Sequence, residues 1–215
     1  VKIIDCVQGG PEWVTARLGI PTASRFDKIL TPVKMEPSKS AIPLAHDLIA
    51  ERILGYCVDE ELSAGMVMRG REQEEKARNF YEFQKEVEVQ DVGFITLDDG
   101  SAGCSPDGLI GSDGLLEIKC PSPGNHVAYM LNAVDGIGYR CQVQGQLWIA
   151  ERDWIDTVSY HPHMQAQIVR VGRQDVFIKH LRAAVATVNE YIEKQLEYLS
   201  KAGKLDRKLG DRMFV

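Results

Sequence analysis

Two carboxylates and one ammonium lie close together in the stretch GCSPDGLIGSDGLLEIKCP, residues 103–121. Asp107 precedes Glu117 by ten residues and Lys119 follows it by two, with the turn-rich GLIGSDG between. Leu115 to Cys120 reads as a short strand, in which alternation sends Glu117 and Lys119 to one face and Leu116, Ile118 and Cys120 to the other. Glycines at 108, 111 and 114 bracket a hairpin that returns Asp107 beside Glu117. Few carboxylates with open positions suit a hard divalent cation such as Mg²⁺, which keeps several waters, and therefore metal-assisted chemistry on phosphate esters. The plainer alternative for Glu117 and Lys119 is an exposed cross-strand charge array.

Helices must carry the rest. Pro11 suits the first turn of a helix over Glu12–Leu18, with Trp13 and Arg17 four apart on one face. Thr22 or Ser24 then caps a second helix through Leu30. Near such a helix N-terminus Arg17 and Ser24 either hold a phosphate or serve local pairing and capping. Thr31–Ser40, with two prolines, is a loop that Lys28, Lys34 and Lys39 make basic. Ala41–Leu54 has helical periodicity, with Leu44, Leu48, Ile49 and Ile53 inward. In the helix expected over Arg71–Phe83, Glu74, Arg78 and Glu82 share one face, and Ala77, Phe80 and Tyr81 share another.

Val87–Val89 and Val92–Ile95 read as strands which, with the opening stretch, form a three-stranded antiparallel meander. Asn125–Asn132 and Tyr139–Ala150 read as helices. In the second, Cys141, Leu147 and Trp148 face inward, while Gln142, Gln144 and Gln146 are too closely spaced for all three to share a face. These glutamines mark either a polar partner or a solvated side. Trp154–Tyr160 and Ile168–Val171 are further strands, and His161 and His163 read as structural hydrogen bonders. Gln174–Leu199 is a long helix with an apolar stripe of Val176, Leu181, Val185, Val188, Ile192 and Leu196. The tail from Lys201 to Val215 is expected to pack loosely or against another subunit.

The chain of 215 residues is expected to form a single domain over residues 1–215. Its composition, 44% hydrophobic and 26% charged, excludes disorder and fibre classes. No apolar run approaches the roughly 20 residues needed to span a bilayer, and no signal pattern opens the chain, so a cytoplasmic location without membrane contact is expected. Five widely spaced cysteines without a C-x-x-C pair point to reduced thiols rather than a zinc ribbon or disulfide framework. A net charge of −6 makes any DNA path a local basic stripe.

Four blocks in order carry a resemblance. WVTARLGIPTAS, RGREQEEKAR, CSPDG with LLEIKCP, and CQVQGQLW resemble the motif series of the phage lambda exonuclease family of viral recombination nucleases. The resemblance implies an α/β (α+β) fold, the PD-(D/E)XK restriction-endonuclease-like core, with a central mixed sheet flanked by helices. It implies Asp107, Glu117, the carbonyl of Ile118 and helix-borne Glu74 as metal ligands, with Mg²⁺ as cofactor and Mn²⁺ able to substitute. Lys119 matches the lysine at the attacking water, where it orients or deprotonates the nucleophile or stabilises the transition state. Arg17, Ser24, Ser105 and Gln144 match positions that hold the 5′-phosphate of a DNA end. Gln142 is a further DNA contact by position, and Val67 or Met68 occupies the place of an apolar wedge, although the letters there depart from the family.

The implied activity is 5′-to-3′ exonuclease action on linear double-stranded DNA, releasing 5′-mononucleotides and leaving a 3′ overhang. A homotrimer, a single-strand annealing protein as partner, and a phage or prophage origin in a bacterial host are implied with it. The alternatives are an endonuclease of the same fold and a non-catalytic DNA-end-binding recombination module.

Overall fold

The computed structural model describes residues 1–58, 64–132 and 139–205, apart from the side chains of 64–72 and 132. Two small sheets are joined by one bent segment. The first orders β1 (Lys2–Ile4), β2 (Phe94–Thr96) and β3 (Gly103–Cys104), all antiparallel. The second orders β4 (Gly108–Ile110), β5 (Gly114–Lys119), β6 (Trp154–Ser159) and β7 (Gln167–Gly172), with β5 and β6 parallel and the outer pairs antiparallel. Ser105 to Asp107 form the bend between β3 and β4.

The helices are α1 (Pro11–Arg17), α2 (Ala41–Leu54), α3 (Ala64–Lys85), α4 (Pro123–Asn132), α5 (Arg140–Ile149) and α6 (Asp175–Lys201), with a 3₁₀ helix over Ala23–Lys28. Helix α2 packs on α6, and α5 packs on the 3₁₀ helix, α6 and β3. The larger core gathers Phe26, Leu44, Leu48, Ile95, Leu115, Leu147 and the α6 stripe. A smaller core, with Ala77 and Tyr81 of α3 over Leu116, Ile118 and Val158, occupies the other face of β5 and β6. Alternation along β5 thus holds: Leu115 joins one core, and Leu116 and Ile118 the other. Among the described residues no helix is long and apolar enough to cross a membrane.

Several local readings change. Residues 87–89 form no strand, because the Val89 N–H donates to Glu82 Oε1 at 2.8 Å and is lost to a strand partner. The meander of three antiparallel strands is therefore replaced by the two sheets. The expected helix from Thr22 to Leu30 shortens to the 3₁₀ helix, and neither Thr22 nor Ser24 caps it. Thr22 is extended there and bridges β3 at Gly103. Val176 is 71% exposed, and Phe177 and Ile178 begin the buried stripe of α6 in its place.

Helix α3 is anchored by a polar cluster around the buried Asp156. Tyr81 Oη donates to Asp156 Oδ2 at 2.6 Å, and Arg170 donates to both Asp156 oxygens at 2.8 Å while lying 3.6 Å over the Trp154 ring. Burial alone would raise the Asp156 carboxyl, but the Arg170 and Tyr81 hydrogen bonds hold it below its ordinary range. Glu74 lies two helical turns before Tyr81, so this anchor sets where Glu74 stands.

Close packing also fixes α5. A Cβ added at Gly145 would lie 2.4 Å from Phe26 Cδ2 and 3.3 Å from Ala23 Cβ. Gly145→Ala should therefore push the 3₁₀ helix off α5 and cost about 1–3 kcal/mol, read as a lowered midpoint in urea unfolding; an unchanged midpoint would contradict this packing.

Candidate active site

The site forms where β4 parts from β5. Asp107 N–H donates to Leu116 O at 2.9 Å, continuing the ladder, and Asp107 Oδ2 then accepts from Ile118 N–H at 2.5 Å. The carboxylate thus takes the place of a strand partner. Arg78 of α3 donates to the Asp107 main-chain oxygen and to Asp91, bracing the bend from the helix side.

Glu117 is almost fully buried and is held by three donors. Oε1 accepts from Lys119 Nζ at 2.6 Å and from Gln142 Nε2 at 2.6 Å, and Oε2 accepts from Gln146 Nε2 at 2.6 Å. Gln142 and Gln146 are four apart on α5, so these two share a face that Gln144 does not. Lys119 Nζ also lies 4.8 Å from the centre of the Tyr139 ring, at the N-terminal boundary of α5. Burial works against its charge, but Glu117 and, more weakly, Asp107 and Tyr139 outweigh this and keep the ammonium protonated.

Desolvation, then the charge of Glu117, and at longer reach that of Glu74, push the Asp107 carboxyl well above its ordinary range, against the Ile118 N–H and Lys119. Burial followed by Glu74 and Asp107 raises the Cys120 thiol to about 11, consistent with an inert thiol. Asp107, Ile118, Glu74, Glu75 and Arg78 line a cavity of about 830 Å³ whose further wall includes Asp5, Glu12 and Asp91. The expected residues Asp107, Glu117, Ile118 and Lys119 therefore come together. Glu74 stands on the cavity wall rather than in a tight triad, and among the described residues no three His, Cys, Asp or Glu side chains form a ready-made metal cluster.

This donor set fits a hard cation. Two oxygen donors at the bend, a repelled carboxyl that a positive charge would relieve, and room for water match the Mg²⁺ pattern of one or two carboxylates and several waters, rather than a closed Zn²⁺ site.

A second cavity, of about 400 Å³, is lined by Arg17, Thr22, Ser24, Arg25 and Lys28. Arg17 Nη2 donates to Ser24 Oγ at 3.5 Å, and its guanidinium lies 3.9 Å over the Trp13 ring. Trp13 Nε1 donates to Ser105 Oγ at 2.7 Å, which ties this cavity to the β3–β4 bend. Trp13 heads the first motif block but was given no role there; the structure makes it the link between Arg17 and Ser105.

Gln144 is fully buried, with Nε2 donating to Gly172 O at 3.0 Å and Oε1 accepting from Gln174 N–H at 2.8 Å, so it joins α5 to β7 and α6, and it is not among the residues lining the cavity of Arg17 and Ser24. Gln142 is engaged with Glu117. The side chains of Val67 and Met68, proposed as a wedge, lie outside the described residues, as does the tail beyond residue 205.

A family model described as a YqaJ-like viral recombinase domain matches residues 12–153, a span that contains Arg17, Ser24, Glu74, Asp107, Glu117 and Lys119. The chain belongs to this family. The lambda exonuclease resemblance read from the four motif blocks is thereby borne out. Among solved structures, the chain is similar to an alkaline exonuclease (LHK-Exo) from Laribacter hongkongensis, with 33% identity, a TM-score of 0.80, and coverage of 91% of this chain and 98% of that one. The same protein in complex with dAMP matches at 32% identity and a TM-score of 0.80, covering 91% and 99%. A phage related exonuclease from Haemophilus somnus 129PT shares the fold at 16% identity and a TM-score of 0.64, covering 84% and 96%. No curated protein matches the chain. The YqaJ-like chain thus has the PD-(D/E)XK fold expected from its sequence.

Proposed function

We propose that this YqaJ-like chain is a Mg²⁺-dependent exonuclease that degrades one strand of linear duplex DNA from a 5′-phosphorylated end, releasing 5′-mononucleotides. Family membership and the likeness to an alkaline exonuclease support a DNA nuclease. The observation that carries the reading is the convergence of Asp107, Glu117 and Lys119, with Asp107, Ile118 and Glu74 on the wall of one cavity.

Asp107, Glu117 and the carbonyl of Ile118 would hold the cation, with Glu74 acting across the cavity. When bound, Mg²⁺ supplies a nucleophilic water of lowered pKa and neutralises charge on the scissile phosphate. Lys119, fixed between Glu117 and the Tyr139 ring, would orient the attacking water or meet the negative charge of the transition state. Arg17, Ser24 and Ser105, linked through Trp13, hold the terminal phosphate and so set the distance from the end to the cut. A homotrimer around the duplex, a single-strand annealing partner, action in a bacterial cytoplasm, and replacement of Mg²⁺ by Mn²⁺ belong to the same proposal.

Digestion of linear 5′-phosphorylated duplex against a covalently closed circle, with Mg²⁺ and with chelator, tests this reading. Mononucleotide release from the linear form alone, lost in chelator, is expected. Cutting of the circle would indicate an endonuclease, and binding without cutting an end-binding module. Arg17→Ala should reduce degradation of 5′-phosphorylated ends by about 10-fold or more, the loss of a charge-assisted pair, while affecting 5′-hydroxyl ends little. Equal losses on both ends would remove the pocket from the mechanism.

A further inference from the structure

Helix α5 carries two buried glutamines that are satisfied differently. Gln144 uses both ends of its amide, on Gly172 O and Gln174 N–H, as a structural staple should. Gln146, two residues on, is equally buried but uses one end only. Its Nε2 donates to Glu117 Oε2 at 2.6 Å, while its Oε1 has no hydrogen-bond partner among the described residues.

The amide cannot be turned over to relieve this, because its oxygen would then face a carboxylate oxygen at the same 2.6 Å. A buried carbonyl oxygen without a partner is destabilising. Position 146 is therefore not filled for stability, and the one bond that its side chain makes goes to Glu117. The other two donors to Glu117 share Oε1, and both come from partly exposed side chains, Lys119 and Gln142. Gln146 is the enclosed one. Of the three donors it is the one least open to replacement by solvent.

We propose that Gln146 is a positioning residue for Glu117, tying Oε2 to α5 so that the carboxylate is presented beside Asp107 in one rotamer. This inference rests on the metal site of the proposed function. Donors behind a metal-ligating carboxylate orient it, and their loss costs about 10–100-fold in metal affinity.

Calorimetric titration of Mn²⁺ into the metal-free full chain, without DNA, tests the role. Gln146→Met, which keeps the shape but removes the donor, and Gln146→Asn, which retracts it by one methylene, should each weaken Mn²⁺ binding by about 10-fold or more. Gln146→Met should add nothing in a Glu117→Gln background. Gln144→Met should lower the melting temperature and leave the titration unchanged. Wild-type Mn²⁺ affinity in either folded Gln146 variant would overturn the proposal, and so would loss of the fold in both, since the bond would then serve stability. A wild-type chain that takes up no Mn²⁺ would remove the metal site itself, whereas uptake indifferent to residue 146 removes only this role.

Discussion

Asp107→Asn should lower Mg²⁺-dependent nucleotide release by about 10³-fold or more, the scale on which loss of a principal electrostatic contact is felt, while DNA-end binding in chelator persists. The amide keeps an oxygen to accept from the Ile118 N–H, so the bend between β4 and β5 should survive. What disappears is a carboxyl whose ionisation is opposed by burial and by the charge of Glu117. The metal-free variant should therefore melt at a higher temperature than the wild type at neutral pH, while being inactive. Activity and stability moving in opposite directions would mark a residue retained for chemistry. A variant that cuts DNA at the wild-type rate would end the nuclease assignment at this site, whatever its melting temperature.

Lys119→Met should cost about 10²–10⁴-fold in kcat, the range for removing a group that handles a proton in the transition state. The methionine fills the stem's volume between Glu117 and Tyr139 but has no charge to offer. Gln142 and Gln146 still hold Glu117, so Mn²⁺ binding and KM for DNA should change far less than kcat. Lys119→Arg should not restore the rate, because a planar guanidinium does not reproduce one ammonium placed both 2.6 Å from a carboxylate and under an aromatic ring. Full activity in Lys119→Met, measured in single turnover, would show that the lysine serves only the ion pair.

Strand β5 was legible because its signal is local. Two-residue alternation in β5 is a property of the strand itself, and glycines at 108, 111 and 114 announce the turn. The apolar stripe of α6 was legible for the same reason from Leu181 onward, and failed at Val176, where the helix has only begun to meet the core. Other elements depended on partners distant in sequence. Val87–Val89 has strand composition, yet the side chain of Glu82 takes the N–H that pairing would need. On α5, the i,i+4 pair Gln142 and Gln146 was available to inspection, but only tertiary packing decides which face meets Glu117. The partners of Gln144, Gly172 O and Gln174 N–H, lie about 30 residues on, so its place in the motif could not announce them.

The three residues between β4 and β5, Gly111 to Asp113, carry a consequence for how this protein can vary in length. They set the pairing of Gly108 with Leu116. One residue inserted or deleted there would turn Glu117 and Lys119 toward the underside now filled by Leu116 and Ile118, and point two aliphatic chains at the Asp107 bend. The loop over residues 32–39 sets no such parity for β5. Lineages of this chain should therefore accumulate insertions in that loop while the distance from Asp107 to Glu117 stays constant, or changes by an even number of residues.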